Sequence, residues 1–357
     1  MNHFSPEQFE SARREFVSQG MTIARVMSEQ KELYTVFLEG KEFKAEVTGK
    51  LMYTAESRMD FPAVGDWVAV QLYDEYSPAI IHGILPRRTT LTRKAVGKAF
   101  EEQIIAANID IVFIVQSLDA NFNLRRLERF IVVVKESGAV PAVLLSKTDL
   151  LGEEELQQKM NEASEVSPGL RIISYSAKTL SHIEEVRSLI AGETTVCFVG
   201  SSGVGKSTLI NKLTGSDILP TQKVREADSK GVHTTSHRQL IPLREGGYVI
   251  DTPGMRELGL WSIGDDTISN AFPEIFDLSA DCRFADCTHM HEPECAVLDA
   301  VERGTLDRSR YESYLKLRKE AEYIESKTNV AKQLERKARE KQFGRLQKNF
   351  KKMRKKK

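Results

Sequence analysis

The pattern of apolar and polar positions changes several times along the chain, and each change predicts a different structure. Apolar residues at helical spacing predict one amphipathic helix within residues 1–20. Short alternating runs follow, separated by glycine and proline, and they predict five strands at residues 22–27, 33–38, 42–48, 66–72 and 79–85. Five short strands in succession predict a small closed barrel, of which the oligonucleotide-binding (OB) barrel is the commonest kind and the SH3-like barrel the alternative.

From residue 108 the runs become almost continuously apolar, which is typical of strands buried on both faces of a parallel sheet. A crossover helix is predicted at residues 124–137, and short helices at 268–278 and 295–303. The predicted strands lie at residues 109–115, 140–145, 171–175, 196–199 and 248–250. This pattern indicates a doubly wound α/β sheet, whose ligands bind beyond the carboxyl ends of the strands.

The loop after the run at 196–199 carries the clearest chemical signal. It reads Gly-Ser-Ser-Gly-Val-Gly-Lys-Ser-Thr and leads into a helix-like segment, which is the context of a phosphate-binding P-loop. Its glycines let backbone N–H groups surround an anion, Lys206 supplies a positive charge, and Ser207 offers a hydroxyl to Mg2+. The candidate phosphate-binding residues are Gly200, Ser201, Ser202, Gly203, Val204, Gly205, Lys206, Ser207 and Thr208.

Two earlier strand ends carry residues suited to reading a guanine base. The run at 140–145 is followed by Ser146, Lys147, Thr148 and Asp149. The Asp149 carboxylate can accept hydrogen bonds from the guanine N1–H and exocyclic amine, a pair that adenine cannot donate. The run at 171–175 is followed by Ser176, Ala177 and Lys178, the kind of loop that backs the guanine ring in GTPases. Together the two loops predict GTP rather than ATP.

The last predicted strand ends in a motif suited to sensing the γ-phosphate. Asp251 can hold Mg2+ through water, and the N–H of Gly254 can meet the γ-phosphate. In the polar segment between the P-loop and this strand, Thr234 or Thr235 can complete the Mg2+ shell while GTP is bound. The pattern therefore predicts a nucleotide-dependent switch.

Three of the four cysteines cluster with histidines near the end of the chain. Cys282, Cys287 and Cys295 offer three thiolates, and His289 or His291 offers a nitrogen. A closed set of three cysteines and one histidine suits a tetrahedral Zn2+ with a structural role. Cys197, in the strand before the P-loop, is predicted to be a small core residue.

The charge is balanced overall but unevenly placed. The 357-residue chain has 51 basic and 51 acidic residues, yet residues 331–357 carry 13 basic and two acidic ones. Such a tail can neutralise several phosphates of a polyanion, the alternative being a solvated helix end or a disordered tail. With neither a long apolar run nor a signal-peptide pattern, we expect a cytoplasmic protein without a membrane partner. A monomer is a separate expectation, which does not follow from these patterns.

The order of the motifs is unusual, because the guanine-reading loops precede the P-loop and Asp-Thr-Pro-Gly comes last. Such an order describes a circularly permuted GTPase domain. With Gly-Val-His-Thr-Thr at 231–235 and the cysteine-rich stretch at 282–295, the chain resembles the ribosome small-subunit-dependent GTPase A family. The resemblance implies GTP hydrolysis stimulated by the small ribosomal subunit, as a checkpoint or release step in late subunit assembly. It also implies that the barrel and the zinc domain contact ribosomal RNA.

The resemblance further implies roles for individual residues. Met255 lies where Ras-type GTPases carry a water-orienting glutamine, and the family's candidate for that task is His233, acting with Lys206 at the phosphates. The family pattern favours His289 over His291 as the zinc ligand. Ser146 replaces the usual asparagine, so we expect guanine preference to rest on Asp149.

The complete prediction is a multi-domain chain with a helical extension at 1–20 and a five-stranded OB-fold barrel at 21–95. A circularly permuted α/β P-loop GTPase domain follows at 96–262, a zinc-binding helical domain at 263–325 and a basic tail at 326–357. The connection at 255–266 is expected to carry motion from the switch to the zinc domain. Two other functions are a nucleotide-dependent RNA-binding module with incidental hydrolysis and a P-loop kinase or ATPase, which Lys147 and Asp149 argue against.

Overall fold

The structure is a computed structural model that describes residues 5–30, 33–73, 78–94, 102–216, 219, 238–251 and 265–323. The basic tail, residues 255–264 of the predicted connection, and four candidate site residues lie outside these ranges. Those four are His233, Thr234, Thr235 and Gly254.

The first element is a helix that packs against the barrel. Helix α1 (Pro6–Ser18) begins at Ser5, whose hydroxyl accepts a hydrogen bond from the Gln8 amide in a capping box. Phe9 meets Trp67 edge to face at 6.5 Å between ring centroids. Phe16 lies so close to Gly83 that a Cβ there would be 2.5 Å from its ring. The aromatic residues of α1 therefore cover one side of the barrel.

The predicted five-stranded barrel is confirmed, with strand order β1-β2-β3-β5-β4 and closure of β4 on β1. Strands β3 and β5 are parallel, whereas the other neighbouring barrel strands are antiparallel. Helix α2 (Gly49–Thr54) lies between β3 and β4. This Greek-key closure is that of an OB barrel. The strands are β1 (Thr22–Gln30), β2 (Leu33–Leu38), β3 (Lys41–Val47), β4 (Trp67–Gln71) and β5 (Ala79–Ile84).

A hairpin that the sequence pattern did not predict follows the barrel. Strands β6 (Thr90–Lys94) and β7 (Glu102–Ala107) pair antiparallel as a separate two-stranded sheet. Gly65, at φ +91°, lies against it, and a Cβ there would be 2.2 Å from the Ala107 carbonyl oxygen. The barrel loop can approach the hairpin this closely because residue 65 has no side chain.

The α/β sheet has the order β10-β9-β8-β11-β13-β12, parallel except for β12. One apolar core lies on each face of this sheet, and Cys197 is fully buried in one of them. The strands are β8 (Ile111–Ser117), β9 (Val140–Ser146), β10 (Arg171–Tyr175), β11 (Thr195–Val199), β12 (Gln239–Pro242) and β13 (Tyr248–Asp251). The helices are α3 (Leu124–Glu136), α4 (Glu153–Val166), α5 (Ile183–Ser188) and α6 (Lys206–Thr214).

Strand β12 was not predicted, and it joins the two β structures. It pairs with β13 on one side and with β1 of the barrel on the other, through Ser28 and Gln239. The barrel and the α/β sheet therefore form one continuous 11-stranded sheet.

The C-terminal region is helical and packs on α3. It contains α7 (Asp265–Ala271), α8 (Pro273–Ser279), α9 (Ala296–Glu302) and α10, which covers 308–323. The single helix predicted at 268–278 was wrong, because Pro273 cannot continue a helix and instead begins α8. Among the described residues, no helix is both long and apolar enough to cross a membrane.

Candidate nucleotide and metal sites

The predicted phosphate loop joins the end of β11 to the start of α6. Gly200 has φ +147°, and a Cβ there would lie 2.4 Å from the Val115 carbonyl oxygen. Gly205, at φ +96°, precedes the first residue of α6. The Lys206 ammonium donates to the carbonyl oxygens of Gly200 and Ser201, each at 2.7 Å. The loop thus curls around its own lysine at a helix N-terminus, an arrangement suited to binding an anion.

Ser146 reaches the phosphate loop although it is shorter than the usual asparagine. Its hydroxyl oxygen lies 2.6 Å from the Val204 carbonyl oxygen, to which it donates, and 3.3 Å from that of Gln116. Ser146 is 2 % exposed. The brace between the base-reading loop and the P-loop therefore exists in this chain without a side-chain amide.

The two base-reading loops meet at Asp149. The Ser176 hydroxyl donates to Asp149 Oδ1 at 2.5 Å, and Lys178 Nζ lies 3.7 Å from Oδ2. Ser176 Oγ also accepts hydrogen bonds from the Lys178 and Thr179 amides, which shapes the loop. The hydrogen bond from Ser176 lowers the pKa of Asp149. Its carboxylate is consequently ionised at neutral pH, the form needed to accept two hydrogen bonds from guanine.

Asp251 lies at the end of β13, close enough to Lys206 for the charge of the lysine to act on its carboxylate. Burial raises the pKa of Asp251 to about 6, and the charge of Lys206 opposes only part of that effect. A bound divalent cation would favour the ionised form further. Ser207, in the first turn of α6, is the other described candidate for the metal shell.

The loop between β8 and α3 also reaches the site, and sequence reasoning missed it. Asp119 Oδ2 accepts a hydrogen bond from Lys147 Nζ at 2.7 Å, and Asn121 Nδ2 donates to Ser201 Oγ at 2.9 Å. The sequence did contain a cue to this loop. Ligands bind where parallel strands end, and the residues after this strand include an aspartate and an asparagine.

The cysteine cluster converges with His289 and not with His291. The ligand atoms of Cys282, Cys287, His289 and Cys295 all lie within 4.8 Å of one another, so the set could hold a metal ion. Cys282 Sγ and Cys295 Sγ are 3.8 Å apart, and His289 Nδ1 lies 3.6 and 3.5 Å from them. A tetrahedral Zn2+ would set its ligand atoms about 3.8 Å (S···S) and about 3.6 Å (S···N) apart. The observed spacings fit that ion.

Neighbouring groups hold the cluster in shape. Tyr311 donates its hydroxyl to the His289 carbonyl oxygen at 2.6 Å, and Cys295 Sγ accepts from the Leu298 amide at the start of α9. The Glu292 carboxylate accepts from the Met290 and His291 amides, each at 3.0 Å. Burial lowers the pKa of His289, so its imidazole is neutral at physiological pH, as a metal ligand must be.

Comparison with known proteins gives a consistent result. The model of the family described as RsgA GTPase matches residues 84–261. The small ribosomal subunit biogenesis GTPase RsgA 2 of Lactiplantibacillus plantarum is 46% identical over 304 residues, which cover 85% of this chain and 84% of that protein. RsgA 1 of Oceanobacillus iheyensis is 44% identical over 308 residues, covering 86% and 87% respectively.

Solved structures show the same architecture. The crystal structure of YjeQ from Thermotoga maritima superposes with a TM-score of 0.64 and a sequence identity of 30%. The match covers 84% of this chain and 98% of that one. YloQ, described as a circularly permuted GTPase, shares the fold at a TM-score of 0.61 and 24% identity, covering 85% and 95%. The permuted motif order, the barrel and the sequence relatives agree, and the chain belongs to the RsgA GTPase family.

Proposed function

We propose that this GTPase acts in the biogenesis of the small ribosomal subunit and hydrolyses GTP as a checkpoint or release step in late assembly. The observation that carries the proposal is the convergence of Asp149, Ser146 and the phosphate loop at one sheet edge, in a chain whose close relatives bear that functional name. The protein works as a cytoplasmic monomer that contacts ribosomal RNA.

In this proposal a different set of residues binds each part of the nucleotide. Asp149 reads the guanine, flanked by Lys147, Thr148, Ser176, Ala177 and Lys178. The P-loop residues from Gly200 to Thr208 hold the phosphates, and Lys206 stabilises the charge that develops during hydrolysis. Ser207 and Asp251 would hold Mg2+ with Thr234 or Thr235, and the amide of Gly254 would contact the γ-phosphate.

The cysteine cluster is proposed to hold one structural Zn2+ through Cys282, Cys287, His289 and Cys295. Its four protein ligands leave no open coordination position, which argues against a catalytic role. The ion would pin short helices that are too small to bury a core alone.

Turnover assays with GTP and with ATP, each with and without purified small ribosomal subunits, test the proposed function. We expect a preference for GTP and acceleration by the subunits. GTP binding without acceleration would favour the RNA-binding module, and efficient use of ATP would favour a kinase or ATPase.

His233 is proposed to orient the attacking water. A neutral imidazole can perform this task in place of the missing glutamine. His233→Ala should leave GTP affinity nearly unchanged and lower subunit-stimulated turnover about a hundredfold, whereas His182→Ala, at an exposed histidine, serves as the control. Equal turnover for both variants would remove His233 from the mechanism.

A further inference from the structure

The segment 117–123, which comprises the last residue of β8 and the connection to α3 and is here named the brace loop, touches both halves of the candidate nucleotide site. One contact goes to the base-reading loop through Lys147, and another goes to the phosphate loop at Ser201 and Ser202. Neither Asp119 nor Asn121 belongs to the motifs that read guanine or bind phosphate.

Asp119 holds the lysine of the base-reading loop. Its Oδ2 accepts a hydrogen bond from Lys147 Nζ at 2.7 Å. Its Oδ1 accepts from the Ser117 hydroxyl at 2.7 Å and from the backbone N–H of Asn121 at 2.9 Å. Burial alone raises the pKa of Asp119, but these hydrogen bonds outweigh it and lower the pKa to about 2. The carboxylate is therefore ionised throughout the physiological range, and both of its oxygens are engaged.

Lys147 is constrained at both ends, by its backbone conformation and by the contact of its ammonium with Asp119. Its backbone has φ +66°, a left-handed conformation that residues other than glycine seldom adopt. An ammonium fixed at its far end limits the orientations of a long, flexible side chain before any nucleotide arrives.

Asn121 makes the second contact, and its amide orientation follows from its partners. Arg126, which can only donate, contacts Asn121 Oδ1 at 3.0 Å and also the Asn121 carbonyl oxygen. The amide nitrogen must then face the phosphate loop, where it lies 2.9 Å from Ser201 Oγ and 3.3 Å from the Ser202 carbonyl oxygen. Arg126 thereby fixes which group Asn121 offers to the P-loop.

We propose that Asp119 and Asn121 are positioning residues that set Lys147 and the Ser201–Ser202 segment in their binding geometry before a guanine nucleotide enters. This inference rests on the proposed function only in taking the ligand to be GTP or GDP. Neither residue reads the base, so both determine the strength of binding without determining which nucleotide is preferred.

A double-mutant cycle with a fluorescent GDP analogue tests the Asp119 contact. Asp119→Asn and Lys147→Ala should each weaken binding about tenfold, and the double variant should bind as Lys147→Ala does, because the two act as one unit. Asp277→Asn, an exposed aspartate on α8, controls for the substitution. If Asp119→Asn weakens binding equally with and without Lys147, the contact has no positioning role.

Asn121→Asp tests the second contact, since it keeps an acceptor for Arg126 and removes the donor to the P-loop. We expect GDP dissociation to accelerate about tenfold, with the melting temperature of the nucleotide-free protein unchanged. The matched control is Asn161→Asp on the exposed face of α4. A fall in melting temperature with unchanged dissociation would indicate a structural role and overturn the proposal.

Base preference separates failure of this inference from failure of the proposed function. Wild-type protein that does not prefer GDP over ADP contradicts the proposed function. If the wild-type protein prefers GDP and Asp119→Asn changes that preference, only the inference is contradicted. Loss of a positioning residue should weaken the binding of both nucleotides in the same proportion.

Discussion

The barrel and the C-terminal helices are attached to the GTPase domain in different ways, although each junction, in the part of the chain that the structure describes, contains one buried arginine. The barrel junction combines the pairing of β1 with β12 and Arg25, which is 5 % exposed. The helical junction uses side chains, with Arg310 of α10, 8 % exposed, set against α3. The two arginines differ mainly in what neutralises their charge.

Arg25 is held by neutral groups. Its Nη2 donates to Thr195 Oγ1 at 2.6 Å and lies 3.4 Å from the Asn108 carbonyl oxygen. The guanidinium also lies 5.0 Å from the ring centroids of Trp67 and Tyr248, one on each side of the junction. Burial lowers the pKa of Arg25, and Tyr248 and Asp110 oppose that effect.

Arg310 is held by two carboxylates. Its Nη1 donates to Glu128 Oε1 of α3 at 2.7 Å and its Nε to Glu274 Oε1 of α8 at 2.6 Å, while Nη2 donates to the Ala271 carbonyl oxygen at 2.8 Å. Glu128 is itself 4 % exposed. Removing Arg310 therefore leaves a buried carboxylate without its cation, whereas the hydrogen-bond partners that Arg25 would leave, Thr195 and the Asn108 carbonyl, are neutral. Substitution of two arginines that are buried to a similar extent should therefore lower the unfolding free energy by different amounts, because a charged partner left unpaired costs more than a neutral one.

Removal of the proposed zinc should have the largest effect, and it should act on the helical junction alone. Cys295→Ser breaks the closed ligand set, and Tyr311 couples the cluster to α10, so we expect the C-terminal helices to lose their packing. Hydrogen exchange should increase strongly around Phe272 and Tyr311 while the barrel strands stay protected. Cys197→Ala, at a buried cysteine outside the cluster, should keep the full zinc content. Protection retained at α10 after zinc loss would contradict this coupling.

Arg310→Met should be the next most damaging change. Leaving Glu128 buried without a partner costs about 3–5 kcal/mol of unfolding free energy, measured by urea denaturation. Glu128→Gln in the same chain should recover part of that loss. Arg125→Met, which breaks the exposed pair with Glu312, should cost less than about 1 kcal/mol. A double variant no more stable than Arg310→Met would show that charge compensation is not what Arg310 provides.

Arg25→Met should cost less than Arg310→Met, about 1–2 kcal/mol. The change loses the hydrogen bond to Thr195 and the cation–π contacts but leaves no buried ion unpaired. The same urea titration compares the two variants directly. A loss as large as that of Arg310→Met would refute the distinction between the junctions.

The smallest expected effect concerns pH at the barrel junction. Burial raises the pKa of Glu29 above 4.5, and Arg238, 4.0 Å away, opposes only part of that effect. The folded protein thus binds this proton more tightly than the unfolded chain. The corresponding stability is present below pH 4.5 and is lost as the pH rises through the folded-state pKa.

Glu29→Gln should therefore raise the unfolding free energy at pH 7 by a few tenths of a kcal/mol, with no gain at pH 4. Melting curves at the two pH values measure it, and the exposed Glu42→Gln should show no such pH dependence. A gain of equal size at both pH values would exclude titration of Glu29 as its cause.

Local signals made much of this molecule predictable. The barrel strands, the parallel strands and the P-loop each depend on patterns within a few residues, such as alternation, apolar runs and glycine spacing. The cluster of candidate metal ligands was equally local, because its four residues lie within residues 282–295. The nitrogen ligand needed more than spacing, since His289 and His291 are both close to the thiols in sequence.

Features that depend on distant partners were not predictable in the same way. Strand β12 is only Gln239–Pro242, and it is a strand because β1 and β13 flank it. In the sequence, Arg25 and Arg310 look like ordinary exposed charged residues, and they are buried because separate domains pack against each other. The break at Pro273 is a different kind of miss, because the proline rule alone would have placed it.

The pairing of β1 with β12 also has a consequence for self-association. β12 is short and antiparallel at the end of an otherwise parallel sheet, and its outer backbone groups would offer a template to another chain. The barrel strand occupies that position through Ser28 and Gln239. Besides any part in recognition, the barrel thus covers the β12 edge of the α/β sheet, and β10, at the opposite end of the strand order, is left among the described strands as the edge strand at which pairing with a second copy could start.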